Sequence, residues 1–189
     1  MAKPARRTRK RTAASAGRSL DRFKTIRLLS LDVDGVLTDG GLYYADDGTV
    51  SRKFSVRDGV GIKRVLALGI AVAIVSAGTT QSIHHRARTL GVRHVMTGVE
   101  NKRAAIEKLC RDLGCALAET AHVGDDLNDL PLLEAVGLPL SVADAVPEAR
   151  AAARYVTRRR GGEGAVREIC DLLAAARGGG KRAPRSGDG

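Results

Sequence analysis

The sequence predicts an α/β protein built on a doubly wound parallel sheet, and three observations carry that expectation. Short apolar runs alternate with amphipathic stretches, joined by connections of a few residues. Glycines stop most of the amphipathic stretches, as left-handed helix caps do. Apolar residues make up 43% of the 189 residues but aromatics only 3%, with no Trp. An interior of Ala, Val, Leu and Ile suits strands covered on both faces.

The elements follow in order. Residues 26–31 read as a strand that ends in the acidic loop Asp32-Val33-Asp34-Gly35. Residues 42–45 and 49–54 flank Asp46-Asp47-Gly48 and predict a β-hairpin with Gly at its turn. A helix is expected over 58–68, a strand over 71–75 and a helix over 80–90, the two helices stopped by Gly69 and Gly91. Residues 94–96 form a short strand, 101–113 a helix ahead of Gly114, 120–123 a strand and 126–136 a helix. A strand over 138–142 precedes a short helix opened by Pro147, a good first-turn residue. The last strand is expected over 155–157 and the last helix over 164–176. No internal repeat or second domain is visible.

The net charge of +11 is unevenly spread. Residues 1–27 hold ten Lys or Arg against Asp21, and residues 177–189 hold four against Asp188, leaving 28–176 near neutral. The chain therefore divides into a basic, disordered tail (1–25), a folded domain (26–176) and a second disordered tail (177–189). The N-terminal arm could touch nucleic acid only non-specifically, and a solubilising extension is the simpler reading. No apolar run approaches the ~20 residues that span a bilayer, and the N-terminal stretch lacks the apolar core of a secretory signal. Cys110, Cys115 and Cys170 form no CxxC pair, so reduced thiols in a cytoplasmic protein are expected rather than a disulfide framework or a zinc site.

In a doubly wound sheet, ligands bind beyond the carboxyl ends of the strands. Chemistry-bearing residues collect there: Asp32, Asp34 and Asp39 after the first strand, Ser76 after the second core strand, Lys102 after the third, and Asp125, Asp126 and Asp129 after the fourth. Each alone reads as a cap, a turn or a solvated side chain. Together they supply converging carboxylates, which resist ionisation unless a cation sits among them, and magnesium suits carboxylate, water and phosphate oxygens. Ser76 and Lys102 would then hold phosphoryl oxygens while one Asp attacks phosphorus and another moves the proton.

Asp32-Val33-Asp34-Gly35-Val36-Leu37-Thr38-Asp39, Ser76, Lys102 and Gly124-Asp125-Asp126-Leu127-Asn128-Asp129 resemble the four signatures of the haloacid dehalogenase-like phosphatases, over residues 26–175. The hairpin after the first signature, the run Val56-Arg57-Asp58-Gly59-Val60-Gly61-Ile62 and the run Gly161-Gly162-Glu163-Gly164-Ala165-Val166-Arg167-Glu168 are similar to the subgroup without a cap domain that includes the 3-deoxy-D-manno-octulosonate 8-phosphate phosphatases.

The resemblance implies a homotetramer, in which hairpins pack together and a neighbour's chain end helps close each site. It also implies roles by position. Asp32 is nucleophile and magnesium ligand. Asp34 is general acid and base and binds the metal through its carbonyl. Ser76 and Lys102 bind phosphate, and Asp125 completes the metal's protein ligands with Asp126 and Asp129 in support. Arg57, Gly78 and the loop 161–164 lie where the sugar acid would be contacted.

One position departs from the subgroup: Ala77-Gly78 stands where Gly-Arg usually follows the motif serine. An arginine could bind a substrate carboxylate bidentately and Gly cannot, which leaves the substrate open. The expected substrate is 3-deoxy-D-manno-octulosonate 8-phosphate, which would place the enzyme in bacterial lipopolysaccharide synthesis. A nine-carbon sugar acid 9-phosphate or another phosphorylated metabolite is the alternative, and a catalytically idle binding or scaffold subunit is the non-enzymatic one.

Overall fold

The computed structural model describes residues 21–178, so what was expected for 1–20 and 179–189 lies outside the described residues. Six parallel strands make the central sheet: β1 (Leu28–Leu31), β4 (Ala71–Val75), β5 (His94–Met96), β6 (Thr120–Gly124), β7 (Leu138–Ser141) and β8 (Tyr155–Val156). Their order is β5-β4-β1-β6-β7-β8. A separate antiparallel hairpin, β2 (Tyr43–Tyr44) and β3 (Val50–Ser51), leaves the sheet after β1. The expected doubly wound architecture is present, and the hairpin is the only insertion between β1 and the first long helix.

The helices are α1 (Val56–Ala67), α2 (Gln81–Leu90), α3 (Lys102–Leu113), α4 (Leu130–Leu133), α5 (Pro147–Ala152) and α6 (Ala165–Ala176). They cover the sheet on both sides. Leu29, Leu31, Val72 and Ile74 enter the larger core with Ile62, Val65, Ile83, Ile169 and Leu173 from α1, α2 and α6. Leu28, Ala73 and Val75 face the other way, against Ile106 and Leu109 of α3 and Leu132 of α4. Alternate residues of one strand thus feed opposite cores, which is why β1 reads as an unbroken apolar run with a single Ser.

Most element bounds shift by one or two residues and the second hairpin strand, expected over 49–54, is only Val50–Ser51; two differences are larger. The helix expected over 126–136 is a 3-10 turn, Leu127–Asp129, followed by the one-turn α4. Asp126 Oδ1 accepts the Leu127 amide at 2.6 Å, and Asp129 Oδ2 accepts the Asp125 and Asp126 amides at 3.1 and 3.4 Å. Side-chain capping that close to the strand competes with regular helix. Packing also begins before Ile26: residues 21–24 form a helical turn whose Phe23 is buried edge-to-face on Tyr155, with ring centroids 6.4 Å apart. At the other end Arg177 Nη2 donates to the Ile26 carbonyl at 2.6 Å.

β1 sits at the switch point, paired with β4 on one side and β6 on the other. The carboxyl ends of these three strands therefore deliver Asp32, Ser76 and Asp125 next to one another.

Candidate active site

Asp32 follows β1 directly and is 6% exposed. Its Oδ1 accepts the Val33 amide at 2.7 Å and its Oδ2 lies 2.8 Å from Lys102 Nζ. Lys102 is the first residue of α3, whose start is fixed by Asn101 Oδ1 accepting the Ala104 amide at 3.0 Å. The lysine is 2% exposed and also donates to Asp129 Oδ1 at 2.7 Å. An ammonium this deep is retained only because two carboxylates meet it, and they raise its proton affinity against the opposing effect of burial.

Asp129 is fully buried, and both its oxygens are occupied. Oδ1 meets Lys102 and, at 3.0 Å, His122 Nε2; Oδ2 takes the Asp125 and Asp126 amides. Burial pushes this carboxyl up, but hydrogen bonds and charge from His122 and Lys102 outweigh it and hold it at about 2. Asp129 therefore organises the site as a permanent anion. His122 continues the chain of contacts through Nδ1 to Ser30 Oγ at 3.1 Å.

Asp125 behaves differently. Burial, then repulsion from Asp32 and Asp129, pushes its carboxyl up to about 7, and its Oδ1 is buried without a hydrogen-bond partner. Asp32 is raised to about 6 by burial and then by Asp129, with Lys102 opposing. Oxygens of Asp32, Asp125 and Asp129 lie within 4.8 Å of one another. With Asp129 fully engaged, Asp32 and Asp125 are left to face a cation, and the orphan oxygen of Asp125 fits a magnesium ligand. The backbone makes room for this arrangement at Gly35, with φ +80° and a position for a Cβ only 2.0 Å from Asp125 Oδ2.

Ser76 ends β4 and is 2% exposed. Its oxygen accepts the Gly78 amide at 3.0 Å, which leaves its proton to donate to an anion. Asp34 projects from the loop at 36% side-chain exposure and is held by Arg52. Asp32, Asp34, Gly35, Ser76, Gly78, Asp125 and Asp126 line one cavity of about 250 Å³. Arg57 lies elsewhere, exposed in the first turn of α1 and lining a groove of about 930 Å³ with Arg158, Arg159 and Arg167. The loop at Gly161 presses on the acidic loop: a Cβ on Gly161 would stand 1.7 Å from the Gly35 carbonyl oxygen, and the Gly162 amide donates to Val36 at 3.0 Å.

Sequence reasoning missed His122 and Arg52. A histidine inside a five-residue apolar strand was a usable signal, because a buried polar side chain must have a partner. Arg52, in the run Ser51-Arg52-Lys53, carried none.

Comparison with known proteins agrees with this geometry. Residues 91–169 match the model of the haloacid dehalogenase-like hydrolases. The 3-deoxy-D-manno-octulosonate 8-phosphate phosphatase of Escherichia coli K12 is 48% identical over 155 residues, 82% of each chain. The crystal structure of the phosphatase of that name from Moraxella catarrhalis, in complex with magnesium, phosphate and KDO, superposes with a TM-score of 0.84 at 36% identity, covering 86% of this chain and 93% of that one. The cobalt-bound Haemophilus influenzae phosphatase gives 0.80 at 37% identity, covering 83% and 92%. The chain therefore belongs to the haloacid dehalogenase-like hydrolases, in the branch that holds the 3-deoxy-D-manno-octulosonate 8-phosphate phosphatases.

Proposed function

We propose that this phosphatase hydrolyses 3-deoxy-D-manno-octulosonate 8-phosphate through a phosphoryl group carried transiently on Asp32. The observation that carries the reading is a buried carboxylate, Asp32, set between the Lys102 ammonium and the unpartnered oxygen of Asp125. Magnesium, held by Asp32, Asp125 and the Asp34 carbonyl, supplies charge neutralisation for the phosphoryl oxygens when bound. The residues of the chain do the rest. Ser76 and Lys102 hold phosphoryl oxygens, so the phosphorus faces Asp32. An Asp32 oxygen forms the new bond to phosphorus as the ester oxygen leaves with a proton from Asp34. Asp34 then takes a proton from the water that releases phosphate. Asp126 and Asp129 support the site, Asp126 as a turn cap and Asp129 as the fixed partner of Lys102.

Gly78 and the loop at 161–164 are proposed contacts on the sugar acid side, whereas Arg57, expected there from the sequence, lines a separate groove and is not. Supporting a homotetramer, the hairpin exposes Leu42, Tyr43 and Tyr44 at 40%, 59% and 72%. No helix among the described residues is long and apolar enough to cross a membrane, which fits the cytoplasmic location we propose. Nucleic-acid contact would be non-specific and confined to the basic arm. With this substrate, the product would feed bacterial lipopolysaccharide synthesis.

A second reading keeps the chemistry and changes the substrate to a nine-carbon sugar acid 9-phosphate. It is favoured by Gly78, which offers no side chain where the subgroup usually has an arginine. Phosphate release from both esters, with and without magnesium and with Asp32→Asn as control, separates them. Metal-dependent release from the octulosonate ester, lost in Asp32→Asn, is the expected result. Preference for the longer acid would move the substrate. No turnover on any ester would leave the idle-subunit reading.

A further inference from the structure

We infer that Arg52 is a positioning residue for the proton-transferring carboxylate of Asp34, supplied to the active site by the hairpin. The inference rests on the acid–base role proposed for Asp34 and adds the group that aims it. Arg52 follows β3 directly, and its Nε and Nη2 meet Asp34 Oδ1 and Oδ2 at 2.7 and 3.0 Å. A planar guanidinium on both oxygens of one carboxylate fixes its rotation as well as its place, which an ammonium cannot do. The arginine is itself immobilised: its side chain is 4% exposed, and Nη1 donates to Thr80 Oγ1 at the start of α2.

Gly78 makes room for this arrangement. A Cβ there would lie 3.1 Å from Arg52 Nη2, 3.3 Å from Ser76 Oγ and 3.5 Å from Asp34 Oδ2. The next residue, Lys53, turns the other way and meets Asp39 Oδ2 at 2.5 Å. Consecutive residues just after the hairpin's exit strand therefore grip the acidic loop near both ends, at Asp34 and at Asp39. Asp34, more than a third exposed on its loop, would otherwise lose its aim to solvent, and misplacement of a catalytic group by an ångström is enough to slow a reaction substantially.

The test separates aiming from folding and from substrate contact. Steady-state kcat/KM, which reports the first chemical step, is measured on p-nitrophenyl phosphate and phenyl phosphate. The two esters share a ring and lack a carboxylate, but the phenoxide needs protonation far more. Asp34→Asn should depress the phenyl ester selectively. Arg52→Met should do the same, by about ten-fold relative to the p-nitrophenyl ester, with Arg52→Lys recovering part of the loss.

In the Asp34→Asn background, Arg52→Met should add little, since the arginine acts through the lost carboxylate. Equal loss on both esters, or loss on the octulosonate ester alone, would overturn the inference while the Asp34 assignment stands. If Asp34→Asn itself showed no dependence on the leaving group, the acid–base reading would fall and this inference with it. Should Arg52→Met not fold, Thr80→Val, which frees Nη1 alone, must show the same selectivity in weaker form.

Discussion

Asp125 and Asp32 are carboxylates that the folded chain holds in their protonated form more readily than the unfolded chain does. Their pKa values, raised from 3.8 to about 7 and about 6, make ionisation a cost that is absent below the unfolded value and complete above the folded one. Metal-free protein should therefore lose stability from these two groups as pH rises from about 4 to about 7. The magnesium proposed here would bind the ionised forms of both, so the rise in Tm it produces should grow over the same window; calorimetry in chelator and in magnesium across pH measures both. Asp129 has the opposite sign. Held at about 2, it contributes stability above its unfolded value that is lost only as pH falls towards 2. Asp129→Asn leaves Lys102 and His122 with a neutral partner in a dry site and should cost roughly 3 kcal/mol in denaturant unfolding. His122→Phe removes the contacts to Asp129 and Ser30 but leaves Asp129 its Lys102 ion pair, so its cost should be smaller, of order 1–2 kcal/mol.

Among elements, the loop that enters α6 is as consequential as the strands. Gly161 and Gly162 lie against the backbone of the acidic loop, so Gly161→Ala has to displace the Gly35 carbonyl. A fall of about 1–3 kcal/mol is expected, with kcat reduced even in the fraction that stays folded; thermal unfolding and turnover at a permissive temperature check it. Elements with one dominant local cause were legible in the sequence: β4 and β5 match their expected bounds residue for residue, and α2 and α3 differ only at a capping residue. The helix after β6 was not, because apolar spacing over 126–136 says nothing of carboxylates that cap backbone amides behind them. The site follows the same division. Residues placed by strand ends, Asp32, Ser76 and Asp125, could be read from order along the chain. Arg52 arrives through the fold of the hairpin over Gly78, and nothing in local pattern distinguishes it from Lys53, whose side chain is 56% exposed against 4%.

At the scale of the whole molecule, the catalytic cavity lies at one edge of the sheet with no domain over it among the described residues. The exposed apolar run that enters the hairpin, Leu42, Tyr43 and Tyr44, is the surface on which self-association should depend. Replacing both tyrosines with Ser should lower the sedimentation coefficient without lowering Tm by more than a few degrees, since neither side chain is buried in the single chain. Unchanged sedimentation would remove the hairpin from the interface. The contact of Arg177 with the Ile26 carbonyl has a practical side. It brings the start of the first strand and the close of the last helix together at the amino edge of the sheet, opposite the catalytic mouth. A label or support coupled at the described residues on either side of this contact, near Ile26 or Arg177, would therefore sit on the back of the molecule and leave the open face to incoming ester.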